Sequence, residues 1–135
     1  MDTLPPGKRL HVLLIDDDPL VLRALERALA LRHEVTAIGT GVDIAPFFER
    51  SQLYDAVLCD FSLWVSGTFG SSPALLRRWP ALAPRMALLT GDPHNKRVTD
   101  FANETNVRLV GKPIGVAALL RLVDELAANA AAGRN

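Results

Sequence analysis

Four places in this chain set polar residues directly after apolar runs. VLLIDDDP carries Asp16, Asp17 and Asp18, LCD ends in Asp60, LLTG carries Thr90, and LVGKP carries Lys112. Carboxylates that share a pocket raise one another's pKa unless a cation intervenes. Mg²⁺ prefers hard oxygens, keeps several waters and is typically held by one or two carboxylates plus phosphate oxygens. Asp16, Asp17 and Asp60 together carry three negative charges, which one Mg²⁺ and the Lys112 ammonium would balance. A carboxylate can also act as a nucleophile and form an aspartyl phosphate. Phosphoryl transfer asks the protein for little beyond alignment and charge neutralisation. Three carboxylates, a hydroxyl and an ammonium are a poor set for packing and a good one for a metal and a phosphoryl group.

The elements that must position these residues follow from the apolar pattern. The run 10–15 is short and almost wholly apolar, as a strand covered on both faces is. Asp18 caps the helix that follows, with Pro19 in the first turn, where its missing N–H costs nothing. Val21, Leu22, Leu25, Ala28 and Leu29 give that helix its apolar face. The second strand is 34–38, and a weaker helix, capped by Thr40 or Asp43, runs through Glu49 with Pro46 in its first turn. The third strand, 56–59, ends at Asp60. A long polar loop leads to Ser72-Pro73 and the third helix, at ALLRRW. The fourth strand, 86–89, ends at Thr90. Asp92-Pro93 is expected to cap a fourth helix, whose apolar side is thin: Val98, Phe101 and Ala102. The fifth strand, 107–110, runs into Gly111-Lys112-Pro113. The last helix presents Val116, Leu119, Leu120, Val123, Leu126 and Ala127. Regular β–α alternation implies an α/β, doubly wound five-stranded parallel sheet with helices on both faces and right-handed crossovers. Ligands bind such sheets beyond the carboxyl ends of the strands, so the strand-end polar residues should share one crevice.

The totals bound the class. A chain of 135 residues fits one domain. Fifteen basic and fifteen acidic residues cancel to a formal charge of +0, which argues against non-specific nucleic-acid binding. The lone Cys59 cannot form an internal disulfide and fits a reducing compartment. No apolar run approaches the ~18 residues of a membrane span, and MDTLPPGKRL lacks the core of a signal peptide, so the expected location is cytoplasmic. Pro5, Pro6 and Gly7 lead to the expectation of a flexible lead-in at 1–8, and a C-terminal tail is expected at 129–135.

LLIDDDP, YDAVLCDFSLW, MALLTG and VGKPI, in that order on successive strand ends, resemble the receiver domain of two-component response regulators over about 10–126. The resemblance implies a flavodoxin-like (βα)5 fold with strand order 2-1-3-4-5 and a receiver domain at 9–128. It makes Asp60 the phosphoacceptor. Asp16, Asp17, Asp60 and the backbone carbonyl of Ser62 would bind Mg²⁺, with Asp17 favoured over Asp16 as a direct ligand. Thr90 and Lys112 would hold the phosphoryl oxygens. It further implies a cis Lys112-Pro113 bond and a small residue, here Gly91, beside the phosphoryl group. The donor would be a histidine kinase or a histidine phosphotransfer protein. The downstream protein would bind the face of the fourth helix, fifth strand and fifth helix, with no direct nucleic-acid or membrane contact. Such a protein catalyses only its own phosphorylation and dephosphorylation, and is no enzyme in the ordinary sense. The expectation is either a single-domain regulator acting by protein contact or a receiver cut from, or related to, the end of a hybrid kinase.

Three features depart from the family. Leu109 stands where Tyr or Phe is usual, Trp64 where Pro is customary, and the loop FSLWVSGTFGSSP is long. Ser62 and Asp92, two residues after Asp60 and Thr90, occupy the positions that flank the phosphoryl group. Leu109 and the loop favour a rival, a phosphate-independent interaction module, which the intact pocket opposes. A second rival reads Asp16 and Asp18 as nucleophile and acid/base of a haloacid-dehalogenase-type phosphatase. That reading leaves Asp60 unexplained. Plainer roles also exist: Asp18 as a cap, Thr90 as a backbone-bonding hydroxyl and Cys59 as strand filling. His11, His33 and His94 lack metal spacing, and Arg77-Arg78 and Lys96-Arg97 read as solvated helix faces.

Overall fold

The computed structural model describes residues 8–39, 45–50, 53–62 and 80–133. In chain order these form β1 (His11–Ile15), α1 (Pro19–Ala30), β2 (Glu34–Ile38), α2 (Ala45–Glu49) and β3 (Ala56–Asp60). A 3₁₀ helix (Pro80–Arg85), β4 (Met86–Thr90), α3 (Lys96–Thr105), β5 (Arg108–Gly111) and α4 (Val116–Gly133) complete them. The five strands pair in parallel in the order β2-β1-β3-β4-β5, the expected flavodoxin-like topology.

Period-two alternation sends successive strand residues into two cores. Leu13, Ile15, Val57, Cys59, Met86 and Leu88 pack on one face with Phe48, Leu82, Val98 and Phe101. Val12, Leu14, Ala56, Leu58, Ala87 and Leu89 pack on the other, against Leu29 of α1 and Leu119, Leu122, Val123 and Leu126 of α4. Because both faces are covered, every residue of β3 and β4 is buried, whereas the edge strands β2 and β5 are only partly so. Each large apolar side chain so buried contributes roughly 1.5–3 kcal/mol. The packing holds the strand ends, and the polar residues on them, at fixed spacing.

Asp18 caps α1 as expected: its Oδ1 accepts from the N–H groups of Leu20 at 2.9 Å and Val21 at 3.4 Å, with Pro19 in the first turn. Two expectations need correction. Asp92-Pro93 does not cap the helix after β4. That helix, α3, starts later, and Asn95 caps it through a 2.9 Å bond from Arg97 N–H to Asn95 Oδ1. Asp92, Pro93 and His94 are spent on a turn, in which Asn95 N–H donates to the Asp92 carbonyl at 3.2 Å. On α4 the buried stripe is Leu119, Leu122, Val123, Leu126 and Ala127, and Val116 in the first turn is exposed. The expected caps Thr40 and Asp43, the helix at Ser72-Pro73, Trp64 and Arg77-Arg78 lie outside the described residues.

Candidate functional site

β1, β3 and β4 end side by side, and the chain after β5 returns Lys112 to the same end. Asp16 follows β1 directly and is buried, its N–H donating to the Ile38 carbonyl at 3.2 Å. Its Oδ1 accepts from Asp18 N–H at 2.9 Å, so the turn into α1 holds the carboxylate in place. Asp17 is exposed, and Asp60, the last residue of β3, is buried. One carboxylate oxygen from each of Asp16, Asp17 and Asp60 lies within 4.8 Å of the other two. Lys112, just after β5, joins the group: its Nζ donates to Asp16 Oδ2 at 3.2 Å and lies 3.0 Å from Asp60 Oδ1. Its own N–H donates to the Thr90 carbonyl at 2.7 Å, and the Lys112-Pro113 bond is cis.

The electrostatics follow from burial and these pairs. Burial pushes the Asp16 carboxyl above the ordinary aspartate range and the charge of Asp60 adds to the rise, against the Asp18 N–H and Lys112. Burial alone would depress Lys112; the hydrogen bond and charge of Asp60, then those of Asp16, outweigh it and hold the ammonium above the ordinary lysine range. Lys112 is therefore a fixed cation. The donor set consists of hard carboxylate oxygens close together, which fits a divalent cation such as Mg²⁺.

Beside Asp60 opens a cavity of about 250 Å³, lined by Asp60, Phe61, Ser62, Thr90, Gly91, Asp92, Asn95, Arg97 and Val98. The Ser62 hydroxyl donates to Asp60 Oδ2. Thr90 Oγ1 accepts from Asp92 N–H at 3.1 Å, the backbone bond expected of its plainer role. That bond leaves the hydroxyl hydrogen to be donated elsewhere. Open space surrounds the position a Cβ on Gly91 would take. Asp18 stands apart, its carboxylate engaged as a cap. Cys59 is buried filling of β3. Leu109 is partly buried against the cluster that contains Phe61, Val98 and Phe101.

Arg97 and Phe61, both at this cavity, were not expected there from sequence. Arg97 reads as a solvated helix charge, and the structure instead sets it in the first turn of α3 among the residues that line the cavity. Phe61 follows Asp60 and stacks edge-on against Phe101 of α3, ring centroids 5.6 Å apart. No sequence signal separates these two from ordinary surface and core residues.

A parallel sheet of this order, with an acidic cluster and a lysine at its carboxyl end, has the fold of a response-regulator receiver domain. No protein-family model and no curated protein matches the sequence. Solved structures do. A response regulator receiver domain protein (CheY-like) from Methanospirillum hungatei JF-1 is 14% identical with a TM-score of 0.68, covering 93% of this chain and 99% of its own. The signal receiver domain of an HD domain-containing protein from Pseudomonas fluorescens Pf-5 is 22% identical, with the same TM-score and coverage. NtrX from Brucella abortus, in complex with ATP, matches at TM-score 0.72 and 14% identity over 94% of this chain and 28% of its own length. At these identities the likeness is one of fold. No helix among the described residues is long and apolar enough to cross a membrane.

Proposed function

We propose that this chain is a two-component phosphorelay receiver that accepts a phosphoryl group on Asp60. The observation that carries the reading is the Lys112 ammonium set between Asp16 and Asp60, within an acidic cluster that Asp17 completes. A carboxylate oxygen of Asp60 attacks the phosphorus of a phosphohistidine on a histidine kinase or phosphotransfer protein. The P–N bond breaks and its electron pair returns to the imidazole. Lys112, already charged and positioned, meets the phosphoryl oxygens from one side, and the Thr90 hydroxyl donates to them from the other. Asp16, Asp17, Asp60 and the backbone carbonyl of Ser62 would hold Mg²⁺, which when bound supplies the positive charge that the carboxylates and the phosphoryl group require. Gly91 leaves room for the group. The added charge then biases the face formed by α3, β5 and α4, and so changes which protein it binds.

The proposed receiver spans 9–128, acts in the cytoplasm, where a buried free Cys59 stays reduced, and contacts proteins rather than nucleic acid or membrane. It turns over no substrate beyond its own phosphoryl group. The phosphatase reading is disfavoured because Asp18, its acid/base, is occupied as a helix cap.

Intact mass after incubation with phosphoramidate tests the proposal. A Mg²⁺-dependent gain of one phosphoryl group by the wild type, absent in Asp60→Asn, is expected. No gain while Mg²⁺ still binds would sink it in favour of the phosphate-independent module. Steady phosphate release that survives Asp60→Asn but not Asp16→Asn would restore the phosphatase.

A further inference from the structure

Arg97 lines the same cavity as Asp60 and Thr90, at the first turn of α3. Its backbone is fixed there, since Asn95 Oδ1 accepts the Arg97 N–H at 2.9 Å. The cations around it are already committed: Lys96 to Asp100 at 2.7 Å, and Lys112 to Asp16 and Asp60. Among the described residues Arg97 forms no ion pair, and it is the one cation lining the cavity. The other charged groups on that wall, Asp60 and Asp92, are carboxylates. An incoming phosphate dianion would meet net negative charge there without Arg97.

We infer that Arg97 is a second anion contact of the site, gripping the phosphodonor from the cavity that it shares with Asp60 and Thr90. This rests on the receiver reading of Asp60 and names how the donor is recognised. A guanidinium is planar, permanently charged and matched to phosphate oxygens in pairs, so it holds an oxyanion by orientation as well as charge. From the edge of the cavity Arg97 engages the oxygens of the donor while phosphorus is still bonded to its leaving group. When an acyl phosphate is the donor, Asp60 forms the new O–P bond, the old P–O bond breaks, and the carboxylate leaves with that electron pair. Arg97 neither gives nor takes a proton. It is a binding residue selective for donors of high negative charge. Lys96, one position earlier, does not line the cavity and serves as the control.

The test compares wild type, Arg97→Ala, Arg97→Lys and Lys96→Ala, each loaded with Mg²⁺. One readout is the initial rate of mass gain with acetyl phosphate and with the less anionic phosphoramidate; the other is binding of inorganic phosphate by calorimetry. Arg97→Ala should slow acetyl phosphate labelling and weaken phosphate binding about five- to tenfold, with a smaller effect on phosphoramidate. Arg97→Lys should recover part of the loss and Lys96→Ala should change neither. Arg97→Ala within ~2-fold of wild type in both readouts would overturn the inference, as would a wild type that binds no phosphate. If the wild type is never labelled yet binds phosphate in an Arg97-dependent way, the receiver reading fails and the anion contact stands.

Discussion

Asp16 is buried with its charge only partly met. Its carboxyl titrates above the ordinary aspartate range, chiefly through burial and then through Asp60. An acid whose folded value lies above its unfolded one binds protons more readily when folded. The stability it contributes is present below about pH 4, the unfolded aspartate value, and is lost as pH rises through the raised folded value. At neutral pH without divalent cations, the ionised Asp16 therefore carries a cost. Asp16→Asn removes the charge, keeps an amide oxygen for Asp18 N–H, and leaves Lys112 with Asp60. In chelator at pH 7 the variant should be more stable than wild type by on the order of 1 kcal/mol, read by urea denaturation, with the gain shrinking towards pH 4. Mg²⁺ should reverse the order, because a cation at a hundred times its Kd adds about 2.7 kcal/mol to the protein that binds it. A variant less stable than wild type in chelator would mean that pairing with Lys112 outweighs the burial of Asp16.

Among the described elements, α3 has a narrow hold on the sheet. Its buried residues are Val98 and Phe101, and its other positions are largely charged or polar. Helices with so narrow an apolar seat open locally at low cost. Phe101, edge-on to Phe61, supplies most of that seat. Phe101→Ala should cost about 3–5 kcal/mol in denaturant unfolding if α3 unfolds with the rest. Amide exchange should rise first in α3, before β1 and β3. A loss under ~1 kcal/mol would show that this ring does not anchor the helix. The start of α3 was also the least legible boundary. Asp92 and Asn95 both suit a helix cap, and Asp92-Pro93 copies the Asp18-Pro19 pattern that does start α1. Only the turn at Pro93 and His94 decides between them. The strands were legible because a parallel strand buried on both faces must be a continuous apolar run. Arg85 was not, because the buried guanidinium answers to backbone carbonyls, donating to Tyr54 O at 2.8 Å and Ala81 O at 3.2 Å. Carbonyls leave no residue type to read.

Across the whole molecule the grouping of the candidate site residues was legible because chain order and strand order are linked by rule. The sheet brings Lys112 to Asp16, 96 positions earlier, once the β–α alternation is recognised. His33 has no such signature, and it governs the opposite end of the sheet. It is buried before β2, its Nδ1 accepts from Leu10 N–H at 3.2 Å, and its Nε2 has no partner among the described residues. Burial pushes its pKa down, the charge of Arg32 and then Arg9 adds to the fall, and Asp124 and Asp55 oppose it. A base whose folded value is depressed leaves the unfolded chain binding more protons. Its contribution is fully present above about pH 6.5 and is lost as pH falls towards the folded value. Asp16 works the other way, regaining stability as it protonates at lower pH. His33→Asn keeps an acceptor near the Nδ1 position and removes the titration. In chelator, its stability should fall less steeply than that of wild type from pH 7 to 5, where one group can contribute at most about 1.4 kcal/mol per pH unit. His33 and Asp16 lie at opposite ends of β1 and share no contact, so His33→Asn and Asp16→Asn should add to within ~0.5 kcal/mol at each pH. A larger coupling would mean that protonation at one end of the sheet is felt at the other.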